Sequence, residues 1–88
     1  MEILKSASAG TLESSDAYIE ILPAQNEVAI SVESVVAKQF GEKIKSAVKE
    51  VLDENGVTAA SVRVVDRGAL ECVIRARVET AILRAKGE

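Results

Sequence analysis

Residues 9–22 read AGTLESSDAYIEIL, in which a polar bend is followed by an alternating run. From Ala17 onward every second side chain is apolar, which is the period of a half-buried β-strand. The small side chains of residues 4–12 suit a preceding strand, and serine and aspartate side chains can hydrogen-bond to nearby backbone groups in a bend. The pattern predicts a β-hairpin with Ser14 and Ser15 at its tip.

Outside this hairpin, the sequence predicts two further strands separated by a long helix. Pro23 ends the hairpin because it has no N–H to donate to a ladder, and the alternation of residues 28–33 and 61–66 indicates the strands. The helix is predicted from Ser34, a suitable N-cap, to Asn55, which precedes a glycine. Its buried stripe is predicted to consist of Val36, Phe40, Ile44, Ala47, Val48 and Val51.

The last quarter of the chain fits two structures. Helical spacing would align the apolar side chains of Leu70, Val73, Ile74, Val78, Ala81 and Ile82. Residues 74–79, however, alternate as a strand does, and they follow a turn sequence at residues 66–68. We favour a second hairpin here, followed by a short helix over residues 80–86.

Together these elements predict an α+β, two-layer fold for a single domain of residues 1–88. A mostly antiparallel sheet of about five strands would pack one face against the long helix, with the short helix at the C-terminal end. The predicted core consists of Ile19, Ile21, Val28, Ile30, Val32, Val62, Val64, Phe40, Ile44, Val48 and Val51.

The composition narrows the range of functions. With 88 residues the chain has room for one core and no second lobe to close over a substrate, which disfavours a self-sufficient enzyme. The net charge of −3 disfavours nucleic acid or an anionic membrane as the main partner, because both bind a cationic face. Histidine is absent and cysteine occurs once, so we expect a cytoplasmic protein without histidine-based catalysis or metal binding.

The predicted tip offers hydroxyl groups flanked by acids. A nucleophilic serine needs an adjacent base, and without histidine only a lysine or a carboxylate remains, so an acyl-enzyme role for Ser14 is disfavoured. Glu13 and Asp16 are predicted to be solvated turn residues, since a hard cation requires more oxygen ligands than two carboxylates supply. We expect both acids to bias the tip toward cationic clefts on partner proteins.

Cys72, Arg75 and Arg77 are the remaining candidates. The acidic neighbour Glu71 disfavours a reactive thiolate at Cys72, which is predicted to be a small core or strand residue. The two arginines are predicted on the outward face of a strand, where they either grip an anionic partner or keep the strand soluble. From the residues alone, the chain is a small α+β module that serves as a subunit of something larger.

Three separated blocks carry a resemblance to a known family. Residues 10–16 read GTLESSD, residues 36–41 read VAKQFG and residues 66–79 read DRGALECVIRARVE. In this order they resemble the acyl carrier proteins of citrate lyase, the small γ chains, so that the resemblance spans nearly the whole chain. Members of that family often have glycine where this sequence has Ser15.

The resemblance implies a carrier that catalyses nothing itself. In such proteins the first serine of the motif, here Ser14, is joined by a phosphodiester to 2'-(5''-phosphoribosyl)-3'-dephospho-CoA, whose thiol bears acetyl and citryl thioesters. The implied partners are the α subunit, an acyl transferase, the β subunit, a citryl lyase, and the transferase that installs the prosthetic group. A group of this kind supplies the reactive thiol, so the chain needs only an exposed hydroxyl, a rigid support and docking surfaces.

Two other functions remain open at this point. The carrier subunit of malonate decarboxylase resembles this family and carries the same type of prosthetic group on a hairpin serine, although its motif usually lacks a pair such as Leu12 and Glu13. A non-catalytic assembly module without a cofactor fits the composition equally well.

Overall fold

The computed structural model describes residues 3–34 and 37–86, and in these ranges it contains four strands and two helices. In chain order the elements are β1 Ala7–Gly10, β2 Ala17–Leu22, β3 Val28–Ser34, α1 Ala37–Glu54, β4 Ala60–Asp66 and α2 Glu71–Ala85. The predicted first hairpin is confirmed, because β1 and β2 pair antiparallel on either side of Ser14 and Ser15. The strands predicted on either side of the long helix are confirmed as β3 and β4.

The sheet is mixed, with strand order β1-β2-β4-β3. Strand β2 runs antiparallel to both β1 and β4, whereas β3 runs parallel to β4. The parallel pair follows from the chain path, because α1 leads from the end of β3 back to the start of β4, as a crossover helix does. The prediction of about five, mostly antiparallel strands is therefore corrected to four strands in a mixed sheet within the described residues.

The core lies between the sheet and the two helices. Helix α1 contacts β3, helix α2 contacts β1 and β2, and the helices contact each other. Alternate strand side chains face the helices, so that Ile19, Val64 and Val32 lie side by side across three strands. Of the predicted core, these side chains are buried: Ile19, Ile21, Ile44, Val48, Val51, Val62 and Val64.

The remaining side chains of the predicted core are half-buried or exposed at the edge of the observed core. Val28, Ile30 and Val32 are half-buried, because β3 is an edge strand with a neighbour on one side only. The core assignment of Phe40 is wrong, since this side chain is 44% exposed at the start of α1. Among the described side chains of the helix, the buried stripe begins one turn later, at Ile44.

The structure tests the C-terminal end of α1 but not the predicted N-cap. Ser34 is the last residue of β3, and its hydroxyl donates to Asp66 Oδ2 at 2.7 Å; residues 35 and 36, which follow it, lie outside the described residues, so the cap stays a prediction. Val36, predicted on the stripe, lies outside the described residues. The predicted stop is confirmed, because the helix ends at Glu54, and the Asn55 side-chain amide donates to the Val51 carbonyl at 2.8 Å.

The last quarter of the chain is a helix, so the predicted second hairpin is wrong. Helix α2 spans Glu71–Ala85 and includes most of the short helix predicted at the C-terminal end. It buries Ile74, Val78, Ala81, Ile82 and Ala85, which share one helical face. A strand would have buried Ala76 with Ile74 and Val78, but Ala76 is exposed. Neither helix of the described chain has the length and apolarity needed to cross a membrane.

Candidate functional site

The tip of the β1–β2 hairpin is a tight turn joined to a β-bulge. The Asp16 N–H donates to the Glu13 carbonyl at 3.2 Å, and Ser15 has a φ of 66° at the third turn position. Across the sheet, the Ser15 N–H donates to the Arg67 carbonyl at 2.8 Å, and the Arg67 N–H donates to the Asp16 carbonyl at 2.9 Å. Two residues on one strand thus oppose one on the other, in the bulge type whose first position normally holds glycine.

Ser14 projects from this turn into solvent. Its side chain is exposed, and the turn hydrogen bonds fix the chain immediately on its C-terminal side. Within the described chain, the Ser14 hydroxyl makes no hydrogen bond to another residue. The turn therefore presents a free hydroxyl in a defined position.

Asp16 holds the two ends of the hairpin loop together. Its Oδ2 accepts from the Thr11 hydroxyl at 2.6 Å, and its Oδ1 accepts from the Ala17 N–H at 2.7 Å. The Arg77 guanidinium donates to both carboxylate oxygens at 3.2 Å. The hydrogen bonds from Thr11, Ala17 and Arg77, with the charge of Arg77, outweigh burial and lower the pKa of Asp16 to about 2.

These contacts correct the prediction for Asp16. It is not a solvated turn residue, because its side chain is only 15% exposed and its oxygens are occupied by donors from the chain. A cation shared with Glu13 is equally disfavoured, and the described residues include no cluster of acids and cysteine arranged to hold a metal ion. Glu13 is exposed and makes no ion pair with the described residues.

Gly10 allows the close approach of the two strands below the tip. It has a φ of 93°, and a Cβ built at this position would overlap the carbonyl oxygen of Ala17 and lie 3.3 Å from Cδ of Arg77. A side chain here would push apart the strands and displace the arginine that binds Asp16. The glycine of the GTLESSD block is therefore required by the packing of the hairpin.

Asp66 supports the other side of the tip, a role that was not predicted from the sequence, although residues 66–68 were predicted to form a turn. This buried carboxylate accepts from the Ser34 hydroxyl at 2.7 Å and from the Gly68 and Ala69 N–H groups at 3.1 and 2.9 Å. It thus fixes the loop in which Arg67 faces Ser15. The sequence signal was available, since aspartate two residues before glycine is typical of a side-chain-stabilised turn.

The predictions for Cys72 and the two arginines are corrected by α2. Cys72 is neither a core nor a strand residue, because it is exposed in the first turn of the helix. Arg75 donates to Glu50 of α1 at 2.6 Å and to Glu71 at 3.0 Å, and these bonds raise its pKa above the ordinary value. Arg77 binds Asp16, so it supports the hairpin from the helix layer and does not lie on an outward strand face.

An apolar pocket of about 350 Å³ lies beside the tip, between the starts of α1 and α2. Phe40, Ile44, Ala69, Leu70 and Ile74 line it. Neither this pocket nor the two grooves along α1 includes Ser14 in its lining. The Ser14 hydroxyl is thus presented outside these three concave surfaces.

The sequence matches known carrier proteins along its whole length. The family model described as Malonate decarboxylase delta subunit (MdcD) matches residues 4–85. The chain is 53% identical over 88 residues to a protein of Haemophilus influenzae named citrate lyase acyl carrier protein, covering 100% of this chain and 92% of that protein. It is 48% identical over 85 residues to the protein of the same name from Pectobacterium atrosepticum, covering 97% of this chain and 88% of that protein.

The fold is also found in a solved structure. A chain in the crystal structure of a Pseudomonas malonate decarboxylase hetero-tetramer in complex with malonate superposes with a TM-score of 0.77. The alignment covers 97% of this chain and 88% of that chain at 22% identity. At this identity the likeness concerns the fold, so the mixed sheet with two helices is a fold already known in nature.

Proposed function

The chain belongs to the citrate lyase acyl carrier proteins, and we propose that its Ser14 hydroxyl is the attachment point of the prosthetic group. One observation carries this proposal: Ser14 is exposed at a hairpin tip whose neighbouring backbone is held by the turn and by the bulge. Identity near 50% to citrate lyase acyl carrier proteins over the full chain makes the protein a non-catalytic subunit of a multi-subunit lyase. It carries acyl groups and breaks no bonds itself.

The residues at the tip fit a covalently attached group. Ser14 offers an oxygen for an ester bond, and its hydroxyl has no partner within the described chain that modification would displace. The group we propose is 2'-(5''-phosphoribosyl)-3'-dephospho-CoA, joined to Ser14 through a phosphodiester. When attached, it supplies the thiol on which the acyl group is carried.

The chain itself contributes a fixed base for this flexible arm. Asp16 joins Thr11 to Arg77, so the loop that holds Ser14 is bound to helix α2 and, through backbone hydrogen bonds, to Arg67 directly after β4. A fixed base confines the acyl group to a small volume, and such tethering raises its effective concentration at each partner site. The flexible arm then carries the acyl group to each partner site, and the fold fixes the point from which the arm extends.

We infer that the partners are the two large subunits of a citrate lyase, the α acyl transferase and the β citryl lyase, and the transferase that installs the group. Of the two acids expected to attract cationic clefts, Asp16 is already neutralised by Arg77. Glu13 is exposed and without an ion pair in the described chain. The expected electrostatic bias of the tip therefore falls to Glu13 alone.

The carrier subunit of malonate decarboxylase is the second candidate, and the shared fold and the matching family model favour it. The full-length identity to citrate lyase acyl carrier proteins and the Leu12–Glu13 pair favour the first. Citryl on the purified chain is expected for the first candidate and malonyl for the second, whereas acetyl fits both, because loss of CO₂ from a malonyl thioester leaves an acetyl thioester.

Reconstitution tests the assignment of Ser14. A lyase assembled with loaded wild-type chain is expected to cleave citrate to oxaloacetate and acetate, whereas Ser14→Ala is expected to reduce cleavage to background. Ser15→Gly, which suits the positive φ of Ser15, is the matched control and is expected to retain activity. Full activity of Ser14→Ala would overturn the proposal.

A further inference from the structure

Arg67 is the arginine of the described chain whose side chain has no partner. The other four arginines have partners. Nη1 of Arg63 lies 3.9 Å from Oε1 of Glu20, and Arg75 binds Glu50 and Glu71. Arg77 binds Asp16, and Arg84 donates to the Ser8 carbonyl. The guanidinium of Arg67 makes no hydrogen bond or ion pair with the described residues, and the residue is exposed. An available cation therefore lies in the loop that faces the tip.

The backbone places Arg67 within reach of the attachment site. The Ser15 N–H donates to the Arg67 carbonyl at 2.8 Å, and standard bond lengths then bring the Cα atoms of Ser14 and Arg67 to within about 8 Å of each other. An arginine side chain is long enough to bridge this separation to a group on the Ser14 oxygen. The Arg67 N–H and the Asp66 carboxylate hold the loop in place, so the short separation is a stable feature of the fold.

We propose that Arg67 binds the phosphate that joins the prosthetic group to Ser14. This inference rests on the proposed function, because the phosphodiester supplies the anion. Guanidinium groups bind phosphate oxygens through two parallel hydrogen bonds. Of the two acids on the tip, Asp16 is occupied by Arg77, and Glu13 makes no ion pair with Arg67 in the described chain. The contact would set the direction in which the arm leaves the turn, which makes Arg67 a positioning residue.

Phosphorus NMR of the isolated, loaded carrier tests this contact without any enzyme assay. In the wild type, we expect the ³¹P resonance of the phosphodiester to be displaced from that of a free diester and to relax as an ordered group. In Arg67→Gln the resonance is expected to move toward the free diester, and its transverse relaxation is expected to slow several-fold. Concentrated salt added to the wild type is expected to act in the same direction.

Two further variants separate the contact from general charge effects. Arg63→Gln removes the same charge from β4, four residues away, and is expected to leave the ³¹P resonance unchanged. Arg67→Lys retains the charge without the paired donors and is expected to give an intermediate shift. Both Arg67 variants keep the backbone bonds to Ser15 and Asp16, so the hairpin should fold as before.

The outcomes distinguish this inference from the proposed function. A ³¹P signal that requires Ser14 but is identical in the wild type and Arg67→Gln would overturn the role of Arg67 and leave the attachment site intact. Equal shifts in Arg63→Gln and Arg67→Gln would also overturn it, as an effect of net charge. A chain from its native host with no phosphorus on Ser14 would overturn the proposed function and this inference with it.

Discussion

Ser15 occupies a backbone conformation that only glycine adopts without strain. Its φ of 66° lies in the left-handed region, where a Cβ costs an L-residue about 1 kcal/mol or more. The bulge requires this conformation so that the Ser15 N–H can reach Arg67. The structure thus gives a physical reason to expect that glycine suits this position better than serine.

Ser15→Gly is therefore expected to stabilise the protein by about 1 kcal/mol. Urea unfolding measures the change in the free energy of unfolding. Ser14→Gly is the matched control, because Ser14 is not among the residues with positive φ and its replacement should be neutral or destabilising. A loss of stability in Ser15→Gly would contradict the assignment of the bulge.

A comparison of Gly10 with Gly68 separates the cost of backbone strain from the cost of close packing. Both have positive φ, 93° and 92°, but a Cβ at Gly10 would overlap Ala17, whereas a Cβ at Gly68 would meet no atom within 4 Å. Gly68→Ala is expected to cost about 1–2 kcal/mol in the free energy of unfolding, from backbone strain alone. Gly10→Ala is expected to cost at least about 2 kcal/mol more, since the strands must separate. If urea unfolding gave equal losses of the free energy of unfolding for the two variants, the close approach of Gly10 to Ala17 would make no contribution.

The low pKa of Asp16 predicts a dependence of stability on pH. Because folding lowers this pKa from 3.8 to about 2, the unfolded chain binds more protons in that range, so stability rises with pH there. The contribution of Asp16 is complete above about pH 4 and is lost as the pH falls toward 2. Between pH 5 and pH 2.5, the wild type is expected to lose more free energy of unfolding than Asp16→Asn, as measured with urea. Identical losses of the free energy of unfolding in the wild type and Asp16→Asn would contradict the hydrogen-bond network around Asp16.

At the level of elements, α2 was predicted wrongly as a second hairpin, and this error also added a strand to the predicted sheet. Alternation at residues 74–79 indicated a strand, yet Arg75 and Arg77 have partners on α1 and on the hairpin that only the folded chain brings near. Periodicity over six residues cannot separate a strand from a helix when both place the same few apolar residues inward. The longer spacing from Ile74 to Ala85 carried the correct signal.

The other elements were predictable because local chemistry determines them. The alternation of β2, the Ser-Asp bend and the Asn-Gly stop all act within a few residues of one another. The parallel pairing of β3 with β4, the bulge opposite Arg67 and the buried position of Asp66 depend on contacts distant in sequence. The sequence accordingly predicted where Ser14 lies, while its supporting residues emerged only from the structure.

Adjacent residues of α2 provide a test of the helical face. Ile82 is fully buried, whereas its neighbour Leu83 is 57% exposed. Ile82→Ala is expected to lower the free energy of unfolding by about 2–5 kcal/mol, because it leaves a cavity beneath the sheet. Leu83→Ala is expected to change it by less than about 0.5 kcal/mol. Denaturant unfolding measures the free energy of unfolding of both variants. Similar losses in the two variants would contradict the orientation of α2.

At the level of the whole molecule, the serine tip and the contact between Leu4 and Ala85 lie at opposite ends of the sheet. The tip gathers the ends of β1 and β4 and the start of β2, with α2 beginning soon after Asp66. At the other end, the Leu4 N–H donates to the Ala85 carbonyl at 3.0 Å. The arm proposed on Ser14 therefore leaves the fold at the end of the sheet opposite the contact between Leu4 and Ala85.

The intact mass of the chain purified from its native host tests the central claim most directly. The wild type is expected to be heavier than the bare sequence by one phosphoribosyl-dephospho-CoA group attached as a phosphodiester, with or without an acyl group. The gain should disappear in Ser14→Ala and persist in Ser15→Gly. A wild-type chain at its bare mass, or an added mass that survives in Ser14→Ala, would contradict the account.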